Sequence, residues 1–320
     1  MVDKDIQDLL KEIGIEMKQL NHPSLTDLTP EQCRHFYLEG LKFFKTEKIK
    51  IAHVINRTIE HDGYAIPIRI YAPETEGEKL PILTYFHGGG WLFGDLEKDD
   101  NLCRMFVKEC NVIVVSIDYR LSPEWKYPTP LKDAITSVKW IFENAIALGG
   151  NPDRIFLCGE SSGGNLAAAT CLKLRDEGHK LPMGQLLICP ALNCNFETAS
   201  YNAGYAYNLT KEKMQWFWNH YLESPDHGYD PYASPLLVDD AKGLPQTMIV
   251  TAELDPLRDE GAAYAQKLKG SNVPVTYLCF KTMVHSFLHM HARSPKAKEG
   301  LNTILHHLRI MIDAKPLPVR

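Results

Sequence analysis

Apolar residues recur at two different spacings along the 320-residue chain. Near the start they recur every three or four positions from Ile6 to Leu20, which predicts a helix with one apolar face. The residues TPEQ at 29–32 combine a threonine cap, a first-turn proline and an acid, so they predict a second helix. We expect this helix to run to about Phe44.

From about residue 49, short β-rich runs replace the helical spacing, and helical patterns separate most of the later runs. This alternation predicts an α/β fold with a mostly parallel sheet of eight strands, flanked by helices on both faces. The first runs lie close together, which predicts an antiparallel hairpin. The predicted strands are Ile49–Asn56, Ile66–Tyr71, Ile82–Phe86, Val112–Asp118, Ile155–Cys158, Leu186–Cys189, Thr247–Thr251 and Val275–Phe280; helices are predicted near 97–110, 131–148, 163–177, 258–270 and 298–313.

The segment from 193 to about 245 breaks the alternation. It is rich in aromatic residues and proline, and we interpret it as an insertion between two strands. The length of the chain allows one large domain or two, because about 150 residues per domain is only an approximate guide.

Charge and composition narrow the kinds of molecule that the protein is expected to bind. The chain has 35 basic and 40 acidic residues, a net charge of −5, and no basic stripe that would attract nucleic acid or an anionic membrane. No apolar run approaches the roughly 20 residues that span a bilayer, and the acidic start is unlike a secretory signal. We therefore expect a cytoplasmic protein, whose eight cysteines are small buried apolar residues; a disulfide between Cys189 and Cys194 is a less favoured alternative.

The strongest chemical signal is the run GESSGGN at 159–165, which follows a predicted strand and begins a predicted helix. A G-x-S-x-G motif in that context is typical of a nucleophile elbow, so Ser161 is the candidate nucleophile. The amide of Ser162 begins the helix and is a candidate donor to an anionic intermediate. A phosphate-binding loop is the alternative, but the lysine of a P-loop is absent.

A second glycine-rich loop, HGGGW at 87–91, follows the predicted strand Ile82–Phe86. Consecutive glycines expose backbone N–H groups at close range, as an oxyanion hole requires. Gly89 and Gly90 are the preferred donors, and Gly88 is a third candidate. We interpret His87 as a residue that braces the loop.

A serine nucleophile needs a base and an acid that orients the base, and here both follow it along the chain. Asp255 comes after the strand predicted at 247–251, and His285 comes after the last predicted strand. Asp259 is the fallback acid. The spacing of His285 and His289 would suit a metal only on a helix, and the glutamate of a zinc motif is missing, so we predict no metal and no cofactor.

These motifs, with DYRLSPE at 118–124, DPL at 255–257 and HSF at 285–287, resemble the hormone-sensitive-lipase-like carboxylesterases of the α/β-hydrolase fold. The resemblance covers roughly 45–313 and is closest to bacterial acetyl esterases. It implies a single domain over 1–320 with a helical cap from about 1–45 and 193–245. Trp91, Tyr205 and Trp216 are candidates for the substrate pocket, although cap aromatics serve equally well as core.

We therefore predict a serine carboxylesterase that hydrolyses short-chain esters, acetyl to butyryl, through an acyl-enzyme on Ser161. The small negative net charge agrees with a small, uncharged ester as partner. Two alternatives stay open: an amidase or thioesterase with the same triad, and a non-catalytic receptor on the same fold. The oligomeric state is not predicted.

Overall fold

Eight strands form the framework of the molecule. The computed structural model describes residues 1–44, 46–61, 63–75 and 77–314. The strands are β1 (His53–His61), β2 (Tyr64–Ala72), β3 (Leu80–Phe86), β4 (Ile113–Ile117), β5 (Gly150–Glu160), β6 (Gly184–Ile188), β7 (Gln246–Leu254) and β8 (Val275–Val284). They form one sheet in the order β1-β2-β4-β3-β5-β6-β7-β8.

The sheet is parallel from β4 to β8, whereas β1 and β2 pair antiparallel and β2 also runs antiparallel to β4. This confirms the predicted hairpin and the mostly parallel sheet. The hairpin moves β1 four or five residues beyond the predicted run, because His61 pairs with Tyr64. Register with β2, rather than the apolar residues Ile49 and Ile51, determines where this edge strand lies.

Helices cover both faces of the sheet, as the alternation of elements predicts. Along β3, Ile82 and Phe86 belong to one buried cluster while Leu83 and Tyr85 belong to the other, in keeping with the two-residue repeat of a strand. The helices are α1 (Lys4–Gln19), α2 (Pro30–Gly40), α3 (Asp100–Cys110), α4 (Thr129–Asn144), α5 (Ser162–Asp176), α6 (Ala199–Asn202), α7 (Lys211–Tyr221), α8 (Arg258–Gly270) and α9 (Pro295–Asp313).

The N-terminal helix is attached to the last elements of the chain. Asp3 caps α1 and accepts a hydrogen bond from Ser294 Oγ at 2.9 Å, while its amide donates to the Thr282 carbonyl at 3.0 Å. Helix α2 ends at Gly40 and continues as a 3-10 turn, Leu41–Phe44, so the predicted second helix is shorter than expected.

The insertion after β6 is mostly irregular, with α6, α7 and two 3-10 turns at Pro225–Tyr229 and Pro235–Leu237. Buried aromatic residues of α7, including Phe217 and Trp218, join the same core cluster as the sheet. Lys45 and the tail 315–320, where two predicted boundaries fall, lie outside the described residues. No helix in the described part of the chain combines the length and apolar character needed to cross a bilayer.

All eight cysteines are free thiols, so the less favoured disulfide between Cys189 and Cys194 is wrong. Six of them are buried, as predicted. Cys194 is half-buried and Cys279 is exposed, which corrects the expectation for these two. Cys279 lies on β8 at the end of the sheet, where three of the ten residues of the strand are exposed.

Candidate active site

Ser161 lies between β5 and α5 in an unusual backbone conformation, with φ 55° and ψ −115°. Positive φ costs a residue with a side chain about 1–3 kcal/mol and persists where the surroundings enforce it. The Ser161 amide donates to the Ile188 carbonyl at 2.8 Å. A Cβ at position 163 would lie 2.0 Å from the Phe86 carbonyl oxygen, so the turn requires glycine there. Strand, turn and helix therefore present the serine as the sequence predicts.

A chain of two hydrogen bonds runs from Ser161 to a buried carboxylate. His285 Nε2 lies 3.1 Å from Ser161 Oγ, and His285 Nδ1 lies 2.8 Å from Asp255 Oδ2. Residue exposure falls from 8% at Ser161 and 7% at His285 to 0% at Asp255, so solvent reaches the serine end first. The structure thus brings together the three residues that chain order selects.

Backbone contacts hold the acid and the base in this arrangement. Asp255 follows β7, and its Oδ1 accepts from the Leu257 amide at 2.9 Å, which leaves Oδ2 for the histidine. His285 follows β8, and Asn208 Nδ2 in the insertion donates to its carbonyl at 2.6 Å. The fallback acid Asp259 accepts instead from the Ser200 amide at 2.7 Å. Geometry therefore selects Asp255 over Asp259 as the partner of the histidine.

Burial and the nearby negative charge shift the pKa of His285 in opposite directions. Burial disfavours the protonated ring, but the negative charge of Asp255 and its hydrogen bond outweigh burial and raise the pKa of His285 above its ordinary value of 6.5. Glu160 contributes in the same direction as Asp255, whereas Lys98 lowers the pKa. The raised pKa makes the ring a better acceptor for the proton of Ser161.

The loop after β3 supplies backbone donors beside the serine. Within the described residues, the N–H groups of Gly89 and Gly90 have no acceptor in the protein. A Cβ on Gly90, whose φ is 60°, would lie 2.2 Å from the ring of Phe217. Both glycines line the cavity that contains Ser161, whereas Gly88 and Ser162 are buried and absent from its described lining. The amide of Ser162 is in the first turn of α5, where N–H groups have no acceptor within the helix.

His87 braces the glycine loop, as predicted. Its Nδ1 lies 2.9 Å from the Gly88 carbonyl oxygen, and its ring stacks on Tyr119 with centroids 4.3 Å apart. The Tyr119 hydroxyl donates to the His87 carbonyl at 2.7 Å. Burial lowers the pKa of His87 to about 4, so the ring is neutral near pH 7. A neutral, fully packed ring suits a structural role.

The model of a family described as having the α/β-hydrolase fold matches residues 83–289. The chain is 38% identical over 233 residues to an arylesterase from Saccharolobus solfataricus, covering 72% of this chain and 75% of that protein. It is 33% identical over 254 residues to an ethyl acetate hydrolase from Pseudomonas putida, covering 78% and 79%. This chain belongs to the α/β-hydrolase family.

Solved structures agree with that assignment. A hyperthermophilic esterase from the archaeon Pyrobaculum calidifontis aligns with a TM-score of 0.91 and 32% identity, covering 98% of this chain and 99% of that one. An ester hydrolase, EH1AB1, from the metagenome of Lake Arreo aligns with a TM-score of 0.93 and 32% identity, covering 98% and 100%. The α/β-hydrolase described here is a carboxylic ester hydrolase of the hormone-sensitive-lipase-like branch.

The hydrolase buries a cluster of charges next to Ser161. Lys98 Nζ lies 3.0 Å from Asp99 Oδ1 and 2.9 Å from Glu160 Oε2, and His289 Nε2 lies 2.9 Å from the same Glu160 oxygen. Tyr85 donates to the other Asp99 oxygen at 2.9 Å. Sequence reasoning missed this cluster, because Lys98 and Glu160 are 62 positions apart and neither motif predicts the contact.

Mutual attraction in the cluster outweighs the cost of burial. Burial favours neutral Glu160, but His289 and Lys98 hold the pKa of its carboxyl well below the usual range. Burial likewise disfavours the ammonium of Lys98, but Asp99 and Glu160 keep its pKa well above normal. The cluster therefore contains a cation held between two carboxylates.

The ammonium of Lys98 also bears on whether this cluster binds a metal ion. Ligand atoms of Asp99, Glu160 and His289 lie within 4.8 Å of one another, a grouping that could hold an ion. The Lys98 ammonium already contacts both carboxylates and supplies the positive charge that an ion would bring. His285 and His289 face different partners, so their four-residue spacing does not bring them to one ligand position.

The three predicted pocket aromatics lie elsewhere, and none is in the described lining of the cavity. Trp91 is fully buried and stacks on Tyr221 with centroids 4.1 Å apart. Tyr205 accepts a hydrogen bond from Arg258 Nη1 at 3.2 Å. Trp216 packs on His220 at 4.3 Å. These rings contact the insertion or the hydrolase core, as the alternative interpretation of cap aromatics allowed.

Other residues of the hydrolase line the cavity, which has a volume of about 680 Å³. Ser161 and His285 are at its inner wall, together with Gly89 and Gly90. Apolar side chains from the N-terminal region and the insertion complete it; they include Leu25, Tyr37, Phe44, Leu209 and Phe217. Its volume is in the range usual for small-molecule sites.

Proposed function

We propose that this hydrolase cleaves carboxylic esters through an acyl-enzyme on Ser161. The observation that carries the proposal is the hydrogen-bonded chain from Ser161 through His285 to Asp255. His285 Nε2 accepts the serine proton as Oγ attacks the ester carbonyl, and Asp255 holds the ring through Nδ1–H. The imidazolium then protonates the leaving alcohol. Water activated by His285 releases the acid and restores the serine.

The oxyanion of each tetrahedral intermediate would be bound by the N–H groups of Gly89 and Gly90, with Ser162 as a third donor. These donors are built into the turn and the loop before substrate arrives, so they need little reorganisation during the reaction. Removing one such donor typically costs about 3–4 kcal/mol of transition-state stabilisation. Gly88 lies next to them but is absent from the described lining of the cavity, so we assign it to shaping the loop, where its carbonyl contacts His87.

The preferred acyl group would be short, from acetyl to butyryl. Phe217 packs directly on Gly90 and limits the space next to the oxyanion donors. Similarity to an ethyl acetate hydrolase also supports a small ester. A series of p-nitrophenyl esters tests this preference: kcat/KM should be highest between acetate and butyrate, and a maximum at octanoate or longer would contradict it.

Residues 1–45 and 193–245 would form a cap on a single hydrolase domain. Leu25 and Tyr37 from the first segment and Leu209 and Phe217 from the second line the cavity together with Ser161. A cap of this kind limits access of water and selects substrates by size.

Ser161→Ala tests the mechanism. Replacing the nucleophile in a triad costs on the order of 10⁶-fold in kcat, so hydrolysis of p-nitrophenyl acetate should be nearly abolished. A fluorophosphonate probe should label the wild type and the control Ser224→Ala, but not Ser161→Ala. Labelling of another serine, or unchanged hydrolysis by Ser161→Ala, would contradict the proposal. Rates on matched ester, amide and thioester separate an esterase from an amidase or thioesterase.

A further inference from the structure

The cavity around Ser161 is lined by charge of both signs. Four lysines and four acids contribute to its wall, so the lining carries no net charge at neutral pH, histidines aside. These side chains are Lys42, Lys48, Lys98, Lys213, Glu97, Asp99, Asp100 and Glu160.

Every acid in this group is paired. Asp99 and Glu160 hold Lys98, as described above. Asp100 Oδ2 accepts from Arg104 Nε at 2.8 Å, and Arg69 Nη2 donates to Glu97 at 2.5 Å. None of these carboxylates is available to neutralise a further cation without giving up an existing partner.

Three of the four lysines are also paired with carboxylates. Lys98 contacts two, Lys48 lies 3.2 Å from Asp100, and Lys42 binds Glu16 on α1. Among the described residues, Lys213 is the one lysine of the lining without a carboxylate partner. Its Nζ donates to the Asn208 carbonyl at 2.9 Å, which leaves two of its three N–H groups for a ligand.

The position of Lys213 connects it to the reacting groups. It lies on α7 in the insertion, and its carbonyl partner Asn208 uses its own side chain to hold the backbone of His285. Lys213 is half-buried, and burial lowers its pKa because the ammonium loses contact with water. An anion bound in the cavity would stabilise the charge of this ammonium, as water does for an exposed lysine.

We propose that Lys213 forms an anion subsite, and that the preferred substrate is a small ester bearing a carboxylate. The proposal rests on the ester hydrolysis proposed above and names the substrate class of the same cavity. It departs from the uncharged ester suggested by the net charge of the chain, because the local charge of a cavity is independent of the total. A carboxylate held by an ammonium in a partly desolvated site gains a charge-assisted hydrogen bond.

Two pairs of esters test the subsite, each matched in size and differing only in charge. Monoethyl succinate and ethyl succinamate place a carboxylate or an amide on the acyl side, and 4-acetoxybenzoate and 4-acetoxybenzamide place them on the alcohol side. In at least one pair, we expect Lys213→Met to lower the acid-to-amide ratio of kcat/KM about tenfold, the usual scale of a hydrogen bond to a charged group.

Lys211→Met is the matched control. Lys211 lies on the same helix and its removal changes the net charge equally, but it binds Glu197 at 3.0 Å and is not in the described lining of the cavity. The acid-to-amide ratio should stay constant in this variant. A change of less than twofold for Lys213→Met in both pairs, or an equal fall in Lys211→Met, overturns the proposal.

Binding to an inactive enzyme separates this proposal from the mechanism. The affinity of Ser161→Ala for the preferred acid, measured by titration calorimetry, should fall about tenfold when Lys213→Met is added. If Ser161→Ala still hydrolysed esters, the proposed nucleophile would be wrong, and the acid-to-amide ratios of kcat/KM for the wild type and Lys213→Met would still decide the role of Lys213. Equal affinity of Ser161→Ala and of Ser161→Ala with Lys213→Met for the acid would refute the subsite and leave the proposed mechanism untouched.

Discussion

Two pairs of a carboxylate and a histidine lie close to Ser161, and they differ in the third group that each pair contacts. In one, His285 lies 2.8 Å from Asp255 and reaches Ser161 with its other nitrogen. In the other, His289 lies 2.9 Å from Glu160, and the same oxygen is also bound by Lys98. The two histidines are only four residues apart on one loop.

The comparison shows that the neighbours of a carboxylate–histidine pair determine what the pair can do. Among the residues that the structure describes, His285 is the one basic side chain that pairs with Asp255, so the charge of Asp255 acts on the ring and raises the pKa of His285. The charge of Glu160 is shared between the ammonium of Lys98 and the ring of His289, which contact the same carboxylate oxygen. The geometry of the first pair suits proton transfer to and from a hydroxyl, whereas the second pair shares its carboxylate with Lys98 next to the turn that carries Ser161.

The largest expected effect comes from breaking the first pair. Asp255→Asn should lower kcat by on the order of 10⁴-fold near neutral pH, the loss known for this substitution in another serine hydrolase, because the amide favours the wrong tautomer of the ring. Steady-state hydrolysis of p-nitrophenyl acetate measures it. Asp259→Asn is the control, since that carboxylate binds Ser200 and Arg258; a larger loss in the control would reverse the assignment.

Lys98→Met should have the next largest effect, chiefly on stability. It leaves Asp99 and Glu160 buried without their shared cation, and removing one partner of a buried pair costs about 3–5 kcal/mol. Urea denaturation measures this loss. Because Lys98 lowers the pKa of His285, its removal should also move the acid limb of the kcat/KM profile to higher pH. An unchanged midpoint in urea would contradict this account of the cluster.

Glu160→Gln should move the acid limb of the kcat/KM profile to lower pH, opposite to the shift expected for Lys98→Met. His285 must be neutral to accept a proton, so activity falls as pH drops through its pKa. Glu160 raises that pKa, and its neutral replacement should therefore extend activity to lower pH. The pH profiles of Glu160→Gln and Lys98→Met form one test: shifts of the same sign would show that distortion of the elbow, not charge, is responsible.

The smallest effect is expected for His289→Gln. Lys98 still binds both carboxylates in this variant, and glutamine can donate to Glu160 in place of the ring. We expect a loss of about 1 kcal/mol in unfolding free energy, the scale of one hydrogen bond, and less than a threefold change in kcat/KM. His306→Gln, at an exposed position on α9, is the control. A loss comparable to that in Asp255→Asn would mean that His289 takes part in the reaction.

Much of the site follows from local patterns in the chain. The glycines around Ser161 and the loop at 87–91 are needed for backbone shapes that residues with side chains cannot adopt, so they are visible in the sequence. Asp255 and His285 follow predicted strands, and the carboxyl ends of parallel strands meet at one edge of a sheet. The candidate triad could therefore be chosen from the sequence, and the structure brings its three side chains together.

Contacts between distant segments could not be predicted in the same way. Asn208 and His285 are 77 positions apart, and Lys98 and Glu160 are 62 apart, with no motif that joins either pair. Trp91 shows the opposite error, because its place beside the glycine loop suggested the pocket while packing against Tyr221 buries it completely.

The sequence by itself determined the order of strands and helices, the strained turn at Ser161 and the ranking of Asp255 and His285. Periodicity and glycine placement specify these features, since both act over a few neighbouring residues. Only the tertiary structure decided which charges meet: in the described part of the chain, Lys98 is bound by two acids and Lys213 by none. Electrostatic partners depend on distance in space and on burial, and folding sets both by bringing together segments that are far apart in the chain.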